Sequence, residues 1–118
     1  MLVRRPVERF DKRIREHVEA ALADPALIGL DGITVDALGN IYGAVNFGFS
    51  VVRIRANDND ISMIAAGPPL DFPTGLTFGT GPGQHTLYVV NAAFVSPPAG
   101  ANPAVLAIPI GAPGLSYR

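Results

Sequence analysis

The sequence contains no cysteine and carries little charge. Without cysteine the fold cannot rest on disulfides or thiolate metal sites, and the redox compartment is left undefined. The net charge is −1 and charged residues make up 16 % of the chain, so neither nucleic acid nor anionic lipid is expected as a partner. There is no apolar run near the roughly 18 residues of a membrane span, and the charged start is unlike a secretory signal peptide. We therefore expect a soluble chain, without a membrane partner and with no compartment specified.

The chain is apolar for its size. It has 118 residues, of which 48 % are hydrophobic. A domain this small has a large surface relative to its volume and would ordinarily carry more charge. The composition therefore predicts surfaces that another part of a protein, or another protein, covers.

The first 24 residues differ from the rest, because they hold most of the charge and no glycine. Their apolar residues recur at spacings of three and four: Phe10, Ile14, Val18, Ala21 and Leu22. This spacing predicts an amphipathic helix over residues 1–24 that packs its apolar stripe on a sheet, and the pair Asp24-Pro25 ends it.

From residue 25 onward, short β-rich runs alternate with Gly, Pro, Asn and Asp. The runs cover residues 33–35, 41–45, 51–55 and 61–64. Each run has three to five residues, and the connections between the runs are short, which is typical of an antiparallel meander. Four strands joined in this way form one blade of a β-propeller.

The same pattern occurs twice. Residues 31–36 are echoed by 73–79, and Gly32 precedes Gly75 by 43 residues. Further counterparts are Tyr42 and Tyr88, Asn46 and Asn91, and the runs 51–54 and 105–110. A period of 40–50 residues is the range of propeller blades. The predicted fold is mainly β: about two four-stranded antiparallel blades of an incomplete β-propeller within residues 25–118, blade one over 28–66 and blade two over 70–114, preceded by the helix.

Several polar motifs are interpreted as turns. Residues 36–40 form a hairpin turn in which Asp36 bonds the backbone and Gly39 supplies a positive φ. The glycine-rich stretch 79–83 joins two strands and lacks the features of a phosphate loop. Residues 57–60 offer oxygens but lack the glycine and acid of a calcium loop, so we expect a hairpin tip. Neither His17 nor His85 has a partner at metal-ligand spacing.

Asp31 is the candidate site residue. It precedes the run expected to be the innermost strand, and Gly32 follows it. Two readings are open: a carboxylate at the mouth of a central channel, where propeller sites are built, or an aspartate that caps the Leu30–Gly32 turn.

Residues 27–42, LIGLDGITVDALGNIY, resemble a segment of the senescence marker protein/gluconolactonase/luciferin-regenerating-enzyme family. Residues 70–79 and 86–91 resemble the following blade, and the resemblance covers about residues 24–114. It implies a six-bladed propeller that hydrolyses lactones or related esters with one divalent metal, often calcium, in a central pocket. The metal polarises the carbonyl and an Asp activates water. The Asp of the family's Asp-Gly motif is both metal ligand and general base, and it matches Asp31.

The same resemblance implies a Glu and Asn residues of earlier blades as the other ligands, and this chain has no positions for them. The charged start also departs from the family. We therefore expect a fragment of a metal-dependent lactone or ester hydrolase, inactive alone, for which a truncated or re-initiated reading frame is one origin. Two alternatives stay open: a non-catalytic module that binds a partner or copies of itself through open blade faces and edges, and a structural remnant.

Overall fold

The computed structural model describes residues 29–93 and 103–115, together with Lys12 and Glu16. Apart from those two positions, the helix predicted for residues 1–24 lies outside the described residues. In the described part the chain is mainly β and forms two antiparallel sheets, one of four strands and one of three. This architecture fits a partial propeller. The same residues include no helix long and apolar enough to cross a membrane.

The first sheet is a meander in which each strand pairs with the next one along the chain. Its strands are β1 (Leu30–Val35), β2 (Ile41–Val45), β3 (Ser50–Ile54) and β4 (Ile61–Ala66). They form here because the runs are rich in β-branched residues and are separated by turn residues. Gly39, with a φ of +91°, permits the tight turn between β1 and β2. The four predicted runs of this segment are thus confirmed as strands.

The second sheet has the order β5 (Pro73–Phe78), β6 (Thr86–Asn91) and β7 (Ala104–Pro109). A fourth strand was expected, and the prediction of a four-stranded second blade holds for only three strands among the described residues. The reason lies in the segment after Pro109, which contains Gly111, Pro113 and Gly114. This turn-rich segment crosses to the first sheet, where the Leu115 amide donates a 3.1 Å hydrogen bond to the Val35 carbonyl.

Strand pairing confirms the internal repeat. Gly32 lies opposite Ala44 in the first sheet, and Gly75 lies opposite Val90 at the matching place in the second. The register makes these pairs equivalent: Gly32 and Gly75, Tyr42 and Tyr88, Val51 and Val105. The counterparts inferred from the sequence therefore occupy the same positions in two copies of one unit.

One predicted counterpart is wrong by a residue. Asn91 lies opposite Pro73, and the matching position in the first sheet is Val45, which lies opposite Leu30. Asn46 comes one residue later, beyond the end of β2. The two asparagines follow similar strand sequences, but the strand register shows that their positions are not equivalent.

The two sheets pack face to face over a common apolar cluster. Its fully buried members are Tyr42, Val51, Leu70, Leu87 and Val89. Because side chains alternate along a strand, the opposite face of the first sheet carries a second cluster. That cluster contains Val35, Ile41, Val45, Val52 and Ile54, with Leu30, Ile61 and Leu115 against it. All five residues of β2 are buried as a result, as expected for a strand with both faces covered.

Candidate functional site

Asp31 occupies the extra position of a β-bulge near the start of β1. Leu30 pairs with Val45 and Gly32 pairs with Ala44, so two consecutive residues of β2 face three residues of β1. Asp31 is exposed, and its carboxylate makes no hydrogen bond or ion pair with another described residue. A bulge re-aims a side chain away from the regular alternation of the strand. The bulge therefore leaves the Asp31 carboxylate exposed at the surface of the described structure.

The second sheet repeats the bulge with a different residue. Pro73 pairs with Asn91 and Gly75 pairs with Val90, which leaves Thr74 as the extra residue of β5. Thr74 is therefore the structural equivalent of Asp31. The repeat has kept the backbone irregularity, whereas only the first copy carries a carboxylate there.

The bulges of β1 and β5 lie side by side. A Cβ added to Gly32 would sit 2.8 Å from the Thr74 carbonyl oxygen and 3.0 Å from the Gly75 Cα. Only glycine allows two strands to approach so closely. This contact makes β1 and β5 the neighbouring strands of the two sheets at this end, and it places the Asp31 segment directly beside the next sheet.

A sequence profile of the SMP-30/Gluconolactonase/LRE-like region matches residues 3–93 of the chain. The chain belongs to this family. Comparison with curated proteins gives no match. The matched region begins at residue 3, so it includes the charged start, and the expectation that this start departs from the family is wrong. It ends at residue 93, before the limit of about 114 inferred from the resemblance.

The donor set that the SMP-30/gluconolactonase resemblance implies for a metal is not complete in the described residues. Calcium takes about six to eight oxygen ligands, and one carboxylate supplies at most two. In the described ranges no three His, Asp or Glu side chains come together as a potential metal site. Asp31 alone does not fit the requirements of a calcium ion. Further ligands would have to come from outside the described residues.

Asp36 is buried and holds the turn between β1 and β2. It is 0 % exposed, and its carboxylate accepts four hydrogen bonds of 2.8–3.0 Å. The donors are the backbone amides of Leu38 and Asn40, the Asn40 side-chain amide and the Tyr42 hydroxyl. These bonds satisfy a charge that would be costly to bury alone. The predicted hairpin turn over residues 36–40 is confirmed.

The Tyr42 hydroxyl belongs to the same buried network. Burial raises its pKa to about 12, and the hydrogen bond to Asp36 and the charge of Asp36 act in the same direction. Arg53 acts the opposite way, through its charge and through hydrogen bonding. The sequence pattern marked Tyr42 only as a repeat position. Its contact with Asp36 arises because the β1–β2 turn brings Asp36 opposite Asn40, and side-chain alternation places Asn40 and Tyr42 on the same face.

Asn91 is a second buried polar residue that the sequence did not single out as structural. It is 1 % exposed. Its side-chain oxygen accepts a 2.6 Å hydrogen bond from the Asp71 amide, and its nitrogen donates a 2.9 Å bond to the Pro69 carbonyl. Asn91 therefore fixes the connector that leads from the first sheet into β5. The side-chain oxygen of Asn46 instead accepts a local bond from the Phe47 amide.

The remaining motifs behave as predicted where they are described. Residues 79–83 form a loop with a 3₁₀ turn at Gly81–Gly83. Residues 57–60 form the β3–β4 turn, where the Asp60 amide donates to the Asp58 carboxylate at 2.9 Å. His85 lies in the β5–β6 loop and is exposed. His17 lies outside the described residues.

A cleft of about 580 Å³ lies at the opposite end of β1 and β5 from Asp31. Its polar lining includes Thr34, Thr77, Thr80 and Gln84, and none of the described residues that line it is charged. Asp31 does not line it. The structure therefore separates the candidate carboxylate from this neutral cleft by the length of the two strands.

Proposed function

We propose that this chain contributes part of the catalytic pocket of a metal-dependent lactone or ester hydrolase of the gluconolactonase type. The observation that supports this most directly is the exposed carboxylate of Asp31, on the bulge of a strand that lies against its counterpart in the next sheet. In this proposal Asp31 is the catalytic residue and one ligand of a divalent metal, calcium by family resemblance. The substrate is a small lactone or ester.

The chain alone is proposed to be inactive. A hydrolytic pocket needs groups that stabilise the developing oxyanion and groups that activate water, held together in one place. The Asp31 carboxylate can activate water, but it would repel an oxyanion, so the second role needs other groups. No second carboxylate occupies the equivalent position in the neighbouring sheet, because Thr74 stands there.

Lactonase assays on the whole chain test both parts of the proposal. With a simple lactone and with or without added Ca²⁺, we expect hydrolysis at the background rate. Turnover that Asp31→Asn abolishes would contradict inactivity while supporting the role of Asp31. Turnover that survives Asp31→Asn would overturn the assignment of that residue. In a complete member of the family, replacing the aspartate that matches Asp31 should abolish hydrolysis and leave the fold intact.

A second candidate function is self-association, and the outer face of the second sheet favours it. Val90 and Val105 lie opposite each other on that face and are 48 % and 65 % exposed. Their equivalents in the first sheet are Ala44 and Val51, both 0 % exposed. Val51 is covered by the second sheet, through the cluster that contains Leu87 and Val89.

The repeat thus indicates what covers such a face: another aliphatic blade face. The edge of β7 supports the same proposal, because among the described residues β7 pairs only with β6. An uncharged edge strand of this kind recruits further strands. A ring of three copies would supply six blades.

Molar mass measured by light scattering during size-exclusion chromatography tests this second function. We expect a discrete oligomer that Val105→Asp converts to a smaller species. Met63→Asp is the matched control, because Met63 on β4 is 63 % exposed and lies on the other sheet. A monomeric parent chain, or an oligomer that Val105→Asp leaves intact, would exclude assembly through this face.

A further inference from the structure

A second cleft, of about 430 Å³, opens at one end of the first sheet. It lies between the β1–β2 turn and the β3–β4 turn. Its lining residues are Leu38, Asn40, Arg53, Arg55, Ala56 and Asn57. Among the described residues, two arginines and two asparagines line it, and the nearby carboxylates of Asp58 and Asp60 pair with Arg55 outside its lining. The two arginines are two of the three Lys and Arg residues in the described part of the chain, the third being Lys12.

Arg53 is positioned by β3 with part of its guanidinium group buried. It lies opposite Tyr42 in the strand register, and its Nε is buried without a hydrogen-bond partner in the described structure. Arg53 acts on the neighbouring Tyr42 through its charge and through hydrogen bonding, whereas its Nε has no partner among the described residues. A buried donor without an acceptor is costly, and the described residues do not supply an acceptor for this one.

Arg55 lies at the mouth of the same cleft and is held only loosely. Its two ion pairs, with Asp58 at 3.7 Å and Asp60 at 4.0 Å, are long, and all three side chains are about half exposed. Exposed pairs of this kind contribute little to stability. The Arg55 guanidinium can therefore turn toward a ligand in the cleft at small cost.

Asn40 gives the cleft a rigid wall. Its side-chain oxygen accepts a 3.0 Å hydrogen bond from the Ala56 amide, and its nitrogen donates a 3.0 Å bond to Asp36. The first bond links the β1–β2 turn to the β3–β4 turn, and the second holds the Asn40 side chain within its own turn. The cleft is thus bounded by two turns whose spacing is fixed, and the arginine side chains enter a site that exists before any ligand binds.

We propose that this cleft binds a small oxyanion, a carboxylate or a phosphate group, between Arg53 and Arg55. Guanidinium groups recognise both chemistries through paired N–H···O bonds. The site is separate from Asp31 and does not depend on the proposed hydrolase function.

Titration of the whole ¹⁵N-labelled chain with sodium acetate and, separately, sodium phosphate tests this proposal, at constant ionic strength and pH 7. We expect saturable shifts of the amide signals of residues 38–40 and 55–57, and none at the neutral cleft around Thr80. Saturation by acetate alone identifies a carboxylate site, and saturation by phosphate alone identifies a phosphate site. Shifts that do not saturate with either anion would overturn the proposal.

Substitutions test whether Arg53 and Arg55 bind the anion. Arg55→Gln should weaken binding about ten- to hundredfold, the loss expected for one hydrogen-bonded charge. Lys12→Gln removes the same charge from an exposed position outside the cleft and should leave the affinity within about twofold. Arg53→Lys keeps the charge and removes the paired donors, so it should also weaken binding. If that variant does not fold, Arg55→Gln and Lys12→Gln decide the matter, and equal affinities for those two would overturn the proposal.

Discussion

The buried carboxylate of Asp36 provides the sharpest test of how the first sheet is held together. Two substitutions distinguish what the shape of the Asp36 side chain contributes to stability from what its charge contributes. Asp36→Asn keeps the shape and one acceptor oxygen, which can still receive the amides of Leu38 and Asn40. Its new amide nitrogen, however, faces the side-chain nitrogen of Asn40, so two donors meet where a donor met an acceptor. Asp36→Ala removes all four accepted bonds and leaves the Tyr42 hydroxyl buried without its acceptor.

The magnitudes follow from the hydrogen bonds involved. A hydrogen bond to a charged group contributes about 1.5–3 kcal/mol, and a buried donor left unpaired costs about 1–3 kcal/mol. Asp36→Asn retains two of the four bonds, and the Tyr42 hydroxyl can rotate to accept from the new amide. We therefore expect a loss of about 2 kcal/mol in the free energy of unfolding for Asp36→Asn, and about 4 kcal/mol for Asp36→Ala.

Equilibrium urea unfolding followed by far-ultraviolet circular dichroism measures both values. With a slope of about 2 kcal/mol per molar urea, Asp36→Asn should lower the midpoint by about 1 M. Asp60→Asn is the matched control, because its carboxylate is exposed and lies 4.0 Å from its nearest cationic partner, Arg55. It should change stability by less than about 0.5 kcal/mol. If Asp36→Asn costs no more than Asp60→Asn, the buried network does not stabilise the sheet and the reasoning is wrong.

Two further predictions concern the same sheet and its contact with the second. Because the Tyr42 pKa is about 12 in the fold and 10.0 for an unperturbed tyrosine, the stability it contributes is complete below pH 10. It is lost as the pH rises from 10 to 12, by about 2–3 kcal/mol in total, and Tyr42→Phe should remove this part of the alkaline pH dependence of unfolding. Gly32→Ala should destabilise the chain by about 1–3 kcal/mol, since the new Cβ would lie 2.8 Å from a carbonyl oxygen of β5. Gly75→Ala is its control in the same assay, because a Cβ there meets nothing within 4 Å; equal losses at the two glycines would contradict the close approach of β1 and β5.

The strands could be predicted because their signals are local. β3 combines β-branched residues in alternation, and the stretch Asp36–Asn40 carries a hairpin turn in its own sequence. The repeat was visible for a similar reason: Gly32 and Gly75 each mark a bulge, and both precede a strand with tyrosine at the same place. Side-chain alternation and turn-forming residues act over a few positions, so they can be recognised in the sequence before the fold is known.

The features that were not predicted all depend on contacts between distant parts of the chain. Residues 113–115 return to the first sheet through backbone hydrogen bonds to Val35 and Ala37, whereas the sequence placed them at the end of the second blade. The buried Nε of Arg53 results from the packing of β3 between its neighbours. The sequence placed Arg53 only in the β-rich run 51–55 and did not indicate its contacts. Alternation identifies which residues share a face, but it does not identify what covers that face.

The two sheets show how a repeated backbone can carry chemistry that is not repeated. The bulge before Gly32 and the bulge before Gly75 have the same register and lie against each other. A bulge sets the direction of whichever side chain occupies it, so the duplication of the unit creates equivalent places without prescribing their residues. Asp31 and Thr74 fill two such places, one with a charge and one without. A pocket assembled from several blades can therefore gain or lose a ligand by one substitution at a bulge while the packing between blades is unchanged. Under the function proposed above, the residues that neighbouring bulges present together would decide which ligands a pocket has, and Asp31 would need further ligands from outside the described residues.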